Sequence, residues 1–380
     1  MGTMPLGACW RIRPRSCWEA ISREARTAST LKSCGRRPST SRRSANRSIT
    51  TEPSRWTWTV NRRSRGMPAS YGRSMILFVK RYNNESFSDF MTFADLELVP
   101  VTDLVLPLPG SLSERFPTVS ATEWALYRRL YPDMFLGDQM RTRLGTLVVR
   151  GRDGILLIDT GIGPGNVGLA RQFGMSGSLP AKLEEAGIAP ESIDTVYLTH
   201  LHQDHVGWNV RPDAAPPAPM FPNARYLTHE AEWRHWSAFA QAQPEQAEVL
   251  RANVLPLSGL GVLDLVTGGA TVAPGVTVLE TFGHSPGHTS LVIEAGGQRL
   301  VVLGDAFVHP LQLAEPGHAM ALDGDAEQAT ATRRRLLDLL TAEDVVVVGY
   351  HFPEPGLGRV VEEDGRLVWR PLALAGSAAG

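Results

Sequence analysis

The six residues His200-Leu-His-Gln-Asp-His205 constrain this chain more than any other stretch. They follow Asp194-Thr-Val-Tyr-Leu-Thr199, whose alternation predicts a half-buried strand. While the chain stays extended, His200 and His202 point the same way. Where it turns toward Val206-Gly207, Asp204 and His205 can face a second centre beside the first. Neutral imidazole and carboxylate suit Zn²⁺ and also take iron or manganese. Thiolates are not available, because the three cysteines (Cys9, Cys17, Cys34) all lie far upstream.

A solvated polar turn would explain one cluster of histidines, but further donors follow it. Gly283-His-Ser-Pro-Gly-His-Thr289 carries two histidines in a turn stiffened by proline. Leu303-Gly-Asp305 sets a carboxylate at one strand end, and Gly349-Tyr-His351 an imidazole at another. A lone His or Asp at a strand end is more often structural. Gathered from several strand ends, such residues build a rigid site, and here they complete two coordination shells.

The rest of the chain predicts strands with helices between them. Leu96–Val99 and Leu104–Leu106 suggest short strands. Leu144–Val149 and Ile155–Ile158 flank Asp153-Gly154, a strong hairpin signal. A helix is expected over Leu179–Ala186, ended by Gly187, and helical patterning runs over 229–252. Strands are expected near 225–228, 262–266, 276–281, 290–295, 299–303 and 345–348. A helix over Ala326–Leu340 has Asp323 or Asp325 at its start, where a carboxylate favours the dipole. Two sheets covered by helices is the simplest packing of that order.

Residues 1–74 differ from the remainder. They hold fifteen Arg and one Lys against three acids, leaving 22 basic and 36 acidic residues in 75–380, a net of −14. That acidity argues against a nucleic-acid partner for the folded part. Nor is there a run of eighteen apolar residues, so no membrane span is expected. For 1–74, a mitochondrial transit peptide, a basic binding tail and an upstream translation outside the natural protein compete. The third is preferred, with 1–74 disordered, 75–90 a linker, and 91–380 the working domain. No secretory h-region is present, and a cytoplasmic location is expected.

Ile158-Asp-Thr-Gly161, Thr199–His205, Gly283–His288, Gly304-Asp305 and His351 together resemble the metallo-β-lactamase superfamily. The resemblance implies an α+β fold: an αββα sandwich of two mixed β-sheets flanked by helices. It implies that His200, His202 and His288 hold one metal ion and Asp204, His205 and His351 a second, with Asp305 bridging. Asp159 would support them from behind, and His284 would be structural. Two divalent ions, with zinc preferred over iron or manganese, would share a hydroxide that attacks a carbonyl or phosphoryl centre. Asp204 and Asp305 would be the catalytic carboxylates, and no serine or cysteine nucleophile is expected.

Gly304-Asp-Ala-Phe-Val-His-Pro-Leu-Gln312 and His351-Phe-Pro-Glu-Pro-Gly-Leu-Gly358 look like the methyl parathion hydrolase-like and lactonase-like branch. An ester, lactone or phosphotriester substrate follows from that likeness, and a homodimer is its implied assembly. Trp208 replaces a common second glycine, and Val308 replaces a frequent polar or aromatic pocket residue. His309, Phe307 and Trp208 are the candidate pocket residues. The 105–140 stretch, with Phe116, Trp124, Tyr127, Tyr131 and Phe135, is the candidate lid, though the same aromatics suit a core equally well. Alternatives are a mononuclear iron persulfide dioxygenase-like enzyme, and β-lactamase or thioesterase activity on the same fold. β-Lactamases that resemble the chain generally lack the bridging Asp. Glyoxalase II carries a helical glutathione-binding segment, for which the 29 residues after His351 are too few.

Overall fold

Alternation along the strands sorts side chains to two faces, and both faces of both sheets are buried. The computed structural model describes residues 90–342 and 345–372. All of these lie within one compact unit, Leu77–Gly380. The expected 1–74 segment and nearly all of the 75–90 linker fall outside the described residues.

The first sheet takes the first eight strands: β1 (Met91–Phe93), β2 (Leu96–Pro107), β3 (Phe135–Leu136), β4 (Gln139–Gly151), β5 (Gly154–Ile158), β6 (Thr195–Leu198), β7 (Arg225–His229) and β8 (Leu263–Val266). Their order is β1-β2-β4-β5-β6-β7-β8, with β3 paired to β4. The second sheet takes β9 (Thr271–Ala273), β10 (Val276–Glu280), β11 (Thr289–Ala295), β12 (Gln298–Val302), β13 (Val346–Val348), β14 (Leu357–Glu363) and β15 (Arg366–Pro371). Its order runs unbroken from β15 to β9. Both sheets are mixed. β5, β6, β7 and β8 pair in parallel, as do β12 and β13, and every other pair is antiparallel.

Four helices of seven or more residues cover the sheets among the described residues: α1 (Ala121–Leu130), α2 (Leu179–Glu185), α3 (Glu230–Ala242) and α4 (Ala326–Leu340). Between the sheets lie Leu147, Val149, Leu156, Ile158 and Tyr197 against Leu291, Ile293, Leu300, Val302 and Val346. Their strand neighbours point the other way. Val148, Leu157, Val196 and Leu198 pack beneath Leu179 and Leu183 of α2. Val301, Val347 and Trp369 pack beneath Leu336 and Leu340 of α4. That is the αββα order expected, and burial on both faces explains why several strands read as continuous apolar runs.

Most expected elements fall where the pattern puts them, while α1, β1, β3 and β9 are not among those expected. The two short strands expected in 96–106 are one strand, β2, with a register irregularity between Thr102 and Leu104. The helical pattern over 229–252 is interrupted, and α3 ends at Ala242 before a separate turn of helix, Glu248–Asn253. Pro244 removes a backbone donor there, which breaks a continuous helix. The β14–β15 hairpin has no counterpart among the expected strands. Asp325, not Asp323, caps α4, accepting the Gln328 N–H at 2.9 Å. Among the described residues, no helix is long and apolar enough to cross a membrane.

Candidate metal centre

Parallel pairing sends neighbouring strand ends to the same side. Asp159 follows β5, the His200–His205 string follows β6, Asp305 follows β12 and His351 follows β13. The Gly283–His288 turn joins β10 to β11 on that side as well. Five separate stretches of sequence therefore converge on one point.

Two donor groups meet there. In the first, His202 Nδ1 lies 3.0 Å from His200 Nε2 and 3.0 Å from His284 Nε2. In the second, Asp204 Oδ2 lies 3.8 Å from His205 Nε2 and 3.5 Å from His351 Nε2. Asp305 stands between them. Its Oδ2 is 3.1 Å from His351 Nε2, 3.4 Å from His284 Nε2 and 3.9 Å from His200 Nε2, while Oδ1 is 3.3 Å from His205 Nε2.

The donors fit a pair of divalent ions. Four ligands about 2.0–2.1 Å from a zinc ion in a tetrahedron stand about 3.3 Å from one another, close to the separations here. His205 Nε2 and Asp305 Oδ1 are buried with no hydrogen-bond partner, and both face the same point. Burial, reinforced by neighbouring histidines, holds His200 and His202 well below the usual imidazole range, which keeps their lone pairs free. Burial opposes charge on Asp305, but His351 and His205 hold its carboxyl well below the usual range. A buried Asp305 carboxylate beside the open lone pairs of His200 and His202 is a lining that suits cations.

Several of the donors are fixed from behind. Asp159 accepts from the Thr199 N–H at 2.8 Å, from the Thr199 hydroxyl, and from His205 Nδ1–H at 2.9 Å. Tyr350 stacks on His205 with centroids 3.9 Å apart, and its hydroxyl donates to the Asp204 carbonyl. His351 Nδ1–H donates to the Arg143 carbonyl at 3.2 Å. Such contacts fix the tautomer that turns the other ring nitrogen, Nε2 for both His205 and His351, inward.

The structure corrects one expected ligand. His284, not His288, joins His200 and His202. Nδ1–H of His288 donates to the Thr281 carbonyl at 3.1 Å, and its Nε2 accepts the Asp305 N–H at 2.9 Å. With both nitrogens engaged, His288 has no lone pair left for a metal. It buttresses the backbone of Asp305 instead, under a turn that needs Gly304: that residue has φ +54°, and a Cβ there would meet His288 Nε2 at 2.6 Å.

The structure buries the candidate pocket residues and places the 116–135 aromatics in the core, the second of the two readings open to them. Phe307 and His309 are fully buried, and Trp208 is buried with its indole N–H donating to Asp103 at 3.1 Å. Phe116, Trp124, Tyr127 and Tyr131 belong to the core outside the second sheet, with Phe135 packed against it. All five rings lie 5.6–6.3 Å from the His309 ring.

Two further acids hold this geometry: Asp323, of the Asp323-Gly-Asp325 stretch that resembles the lactonase-like branch without an expected site role, and Glu232, which carries no motif. Asp323 meets His284 Nδ1 at 3.0 Å, and Glu232 on α3 binds the backbone of both histidine turns. Gly283-His-Ser-Pro-Gly287 also spells the Gly-x-Ser-x-Gly string of serine hydrolases, but here it is a turn between two strands, and the buried Ser285 hydroxyl donates to Glu232 at 2.7 Å.

Comparison with known proteins agrees with the geometry. An N-acyl homoserine lactonase of Bacillus cereus is 30% identical over 169 residues, covering 44% of this chain and 60% of the relative. This chain thus spans less than two thirds of that relative's length. Among solved structures, the hydrolase AbOPH of the β-lactamase superfamily superposes with TM-score 0.65 at 22% identity, over 76% of this chain and 99% of that one. AidC, a dizinc quorum-quenching lactonase in complex with a product, gives 0.63 at 22% identity over the same shares. The family model of the metallo-β-lactamase superfamily matches residues 146–351, from β4 through the last histidine of the centre, and the chain belongs to that superfamily.

Proposed function

We propose that this chain is a di-metal hydrolase, with zinc as the metal, acting on a lactone or related ester. The observation that carries it is Asp305, whose two oxygens reach both donor groups at 3.1–3.4 Å. A mononuclear iron enzyme would have no use for the second group of Asp204, His205 and His351. The lactone follows from the relative's name and from the dizinc lactonase neighbour, and phosphotriesters are the second substrate class.

Bound there, two divalent ions supply Lewis acidity and bring the pKa of water toward neutrality. The chain's own residues divide the remaining work. Asp305 is nearly buried and holds the two donor groups in register. The Asp204 side chain is 23% exposed against 6% for Asp305, so Asp204 is the carboxylate that exchanges a proton with substrate and solvent. Asp159 keeps the His205 Nδ1 proton in place, so Nε2 stays turned to the centre. The neutral walls of His200 and His202 add no positive charge that would repel a cation.

The test is a panel of acyl-homoserine lactones, aryl esters and a phosphotriester with zinc-loaded protein and its His205→Ala variant. Lactone turnover lost in the variant is expected. Equal turnover in the variant removes the two-metal reading, and turnover of the phosphotriester alone moves the substrate class. Two ions per chain, rather than one iron, separates hydrolase from dioxygenase.

A further inference from the structure

Glu232 is fully buried on α3, yet it carries no motif and is not one of the side chains gathered at the centre. A buried carboxylate persists only where donors compensate its lost hydration. Glu232 has four. Its Oε1 accepts from the Leu201 N–H at 2.9 Å and from the Trp236 indole N–H at 2.6 Å. Its Oε2 accepts from the Ser285 hydroxyl at 2.7 Å and from the Gly287 N–H at 2.8 Å.

Three of these donors belong to the two turns that carry His200, His202 and His284, and the fourth, Trp236, lies one turn along α3 from Glu232 itself. Leu201 lies between the two histidines of one turn, and Ser285 follows His284 in the other. Trp236 sets its ring edge-on to His202, centroids 5.4 Å apart. The fit is close: a Cβ on Gly287 would stand 2.1 Å from the Glu232 nitrogen. No donor of Glu232 comes from Asp204, His205 or His351.

We propose that Glu232 is a positioning residue that sets the separation of the two histidine turns, and thereby the affinity of the His200–His202–His284 site alone. The proposal rests on the di-metal reading. Glutamine is the informative replacement. It keeps the shape but turns an NH₂ toward either the Leu201–Trp236 pair or the Ser285–Gly287 pair, where N–H groups already point inward.

The experiment is Zn²⁺ titration of the metal-free protein against a chromophoric chelator, for wild type and Glu232→Gln, with urea unfolding of both metal-free proteins. Expected is two ions per wild-type chain, and in the variant one ion held about 10–100-fold more weakly with the other unchanged. Unchanged affinity for both ions overturns the proposal. So does equal weakening of both ions together with a lowered urea midpoint, which marks Glu232 as a general structural residue. A wild type that holds fewer than two ions refutes the di-metal reading itself and is read before the variant. If Glu232→Gln does not fold, Ser285→Ala removes one of the four donors. A smaller loss confined to one ion then supports the proposal, and no loss overturns it.

Discussion

The Asp323 carboxylate lies 3.0 Å from Nδ1 of His284, on the side of the ring away from His202. Its other oxygen pairs with the Arg333 guanidinium, and neither side chain of that pair is exposed. Arg333 Nε–H in turn donates to the Ala306 carbonyl at 2.9 Å, next to Asp305. One buried chain therefore links a helix to two donors of the centre. Removing a partner from such a pair leaves an uncompensated charge, so Asp323→Ala should lose about 3–5 kcal/mol in urea unfolding. Asp323→Asn keeps an acceptor for His284 but not the charge. It should fold, and weaken zinc about 10–100-fold in chelator competition. Wild-type zinc affinity in both variants would show that the orientation of His284 is set elsewhere.

The two histidines of the Gly283–His288 turn make opposite predictions. His284→Ala takes a donor from the first group, and metal analysis after gel filtration should find one ion per chain rather than two. His288→Ala leaves the buried Asp305 N–H without its acceptor. It should lower stability by about 1–3 kcal/mol while two ions stay bound. Loss of an ion in His288→Ala with none lost in His284→Ala would reverse the assignment.

What the sequence discloses follows from how local each cause is. The His200–His205 string and the strand before it are local, and their placement beside one another is readable from spacing. So are the hairpin around Asp153-Gly154 and the helix over Ala326–Leu340. Choosing His284 over His288 is not local. Both sit in the same turn, and the choice depends on which ring the Asp305 N–H and Thr281 claim from across the fold. Glu232 is equally opaque, since an acid on a helix reads as a solvated residue, and Asp323 stands out only within Asp323-Gly-Asp325 and as a possible cap, not as the partner of His284. The aromatics of 116–135 show the same limit, because composition cannot tell a cover from a core.

Those aromatics now predict a stability effect instead of a selectivity effect. Phe116 is fully buried and meets Trp124 edge-on at 5.7 Å. Phe116→Ala should cost about 3–5 kcal/mol in urea unfolding, as for large buried rings generally. Leu136 in the same region is 55% exposed, and Leu136→Ala should stay within about 0.5 kcal/mol. A folded Phe116→Ala protein of wild-type stability but altered substrate preference would restore the lid.

The ring at the middle of that shell predicts a pH dependence. His309 Nδ1 accepts the Leu311 N–H at 3.0 Å, and five aromatic rings surround it. Burial lowers its pKa from 6.5 to about 3, so the folded state keeps the ring neutral. The unfolded chain takes up the proton first as pH falls. Its contribution to stability is therefore complete above pH 6.5 and declines as pH falls toward 3. At about 1.4 kcal/mol per unit, the loss by pH 5 is about 2 kcal/mol. His309→Asn gives a control that does not titrate, with a side-chain oxygen able to accept the same N–H. It should be less stable at pH 7, because it fills less of the shell. Between pH 7 and pH 5, however, metal-free wild type should lose about 2 kcal/mol more than the variant in urea unfolding, since every other titrating group is common to both. Parallel curves would mean that the His309 ring is protonated, or reached by water, inside the fold.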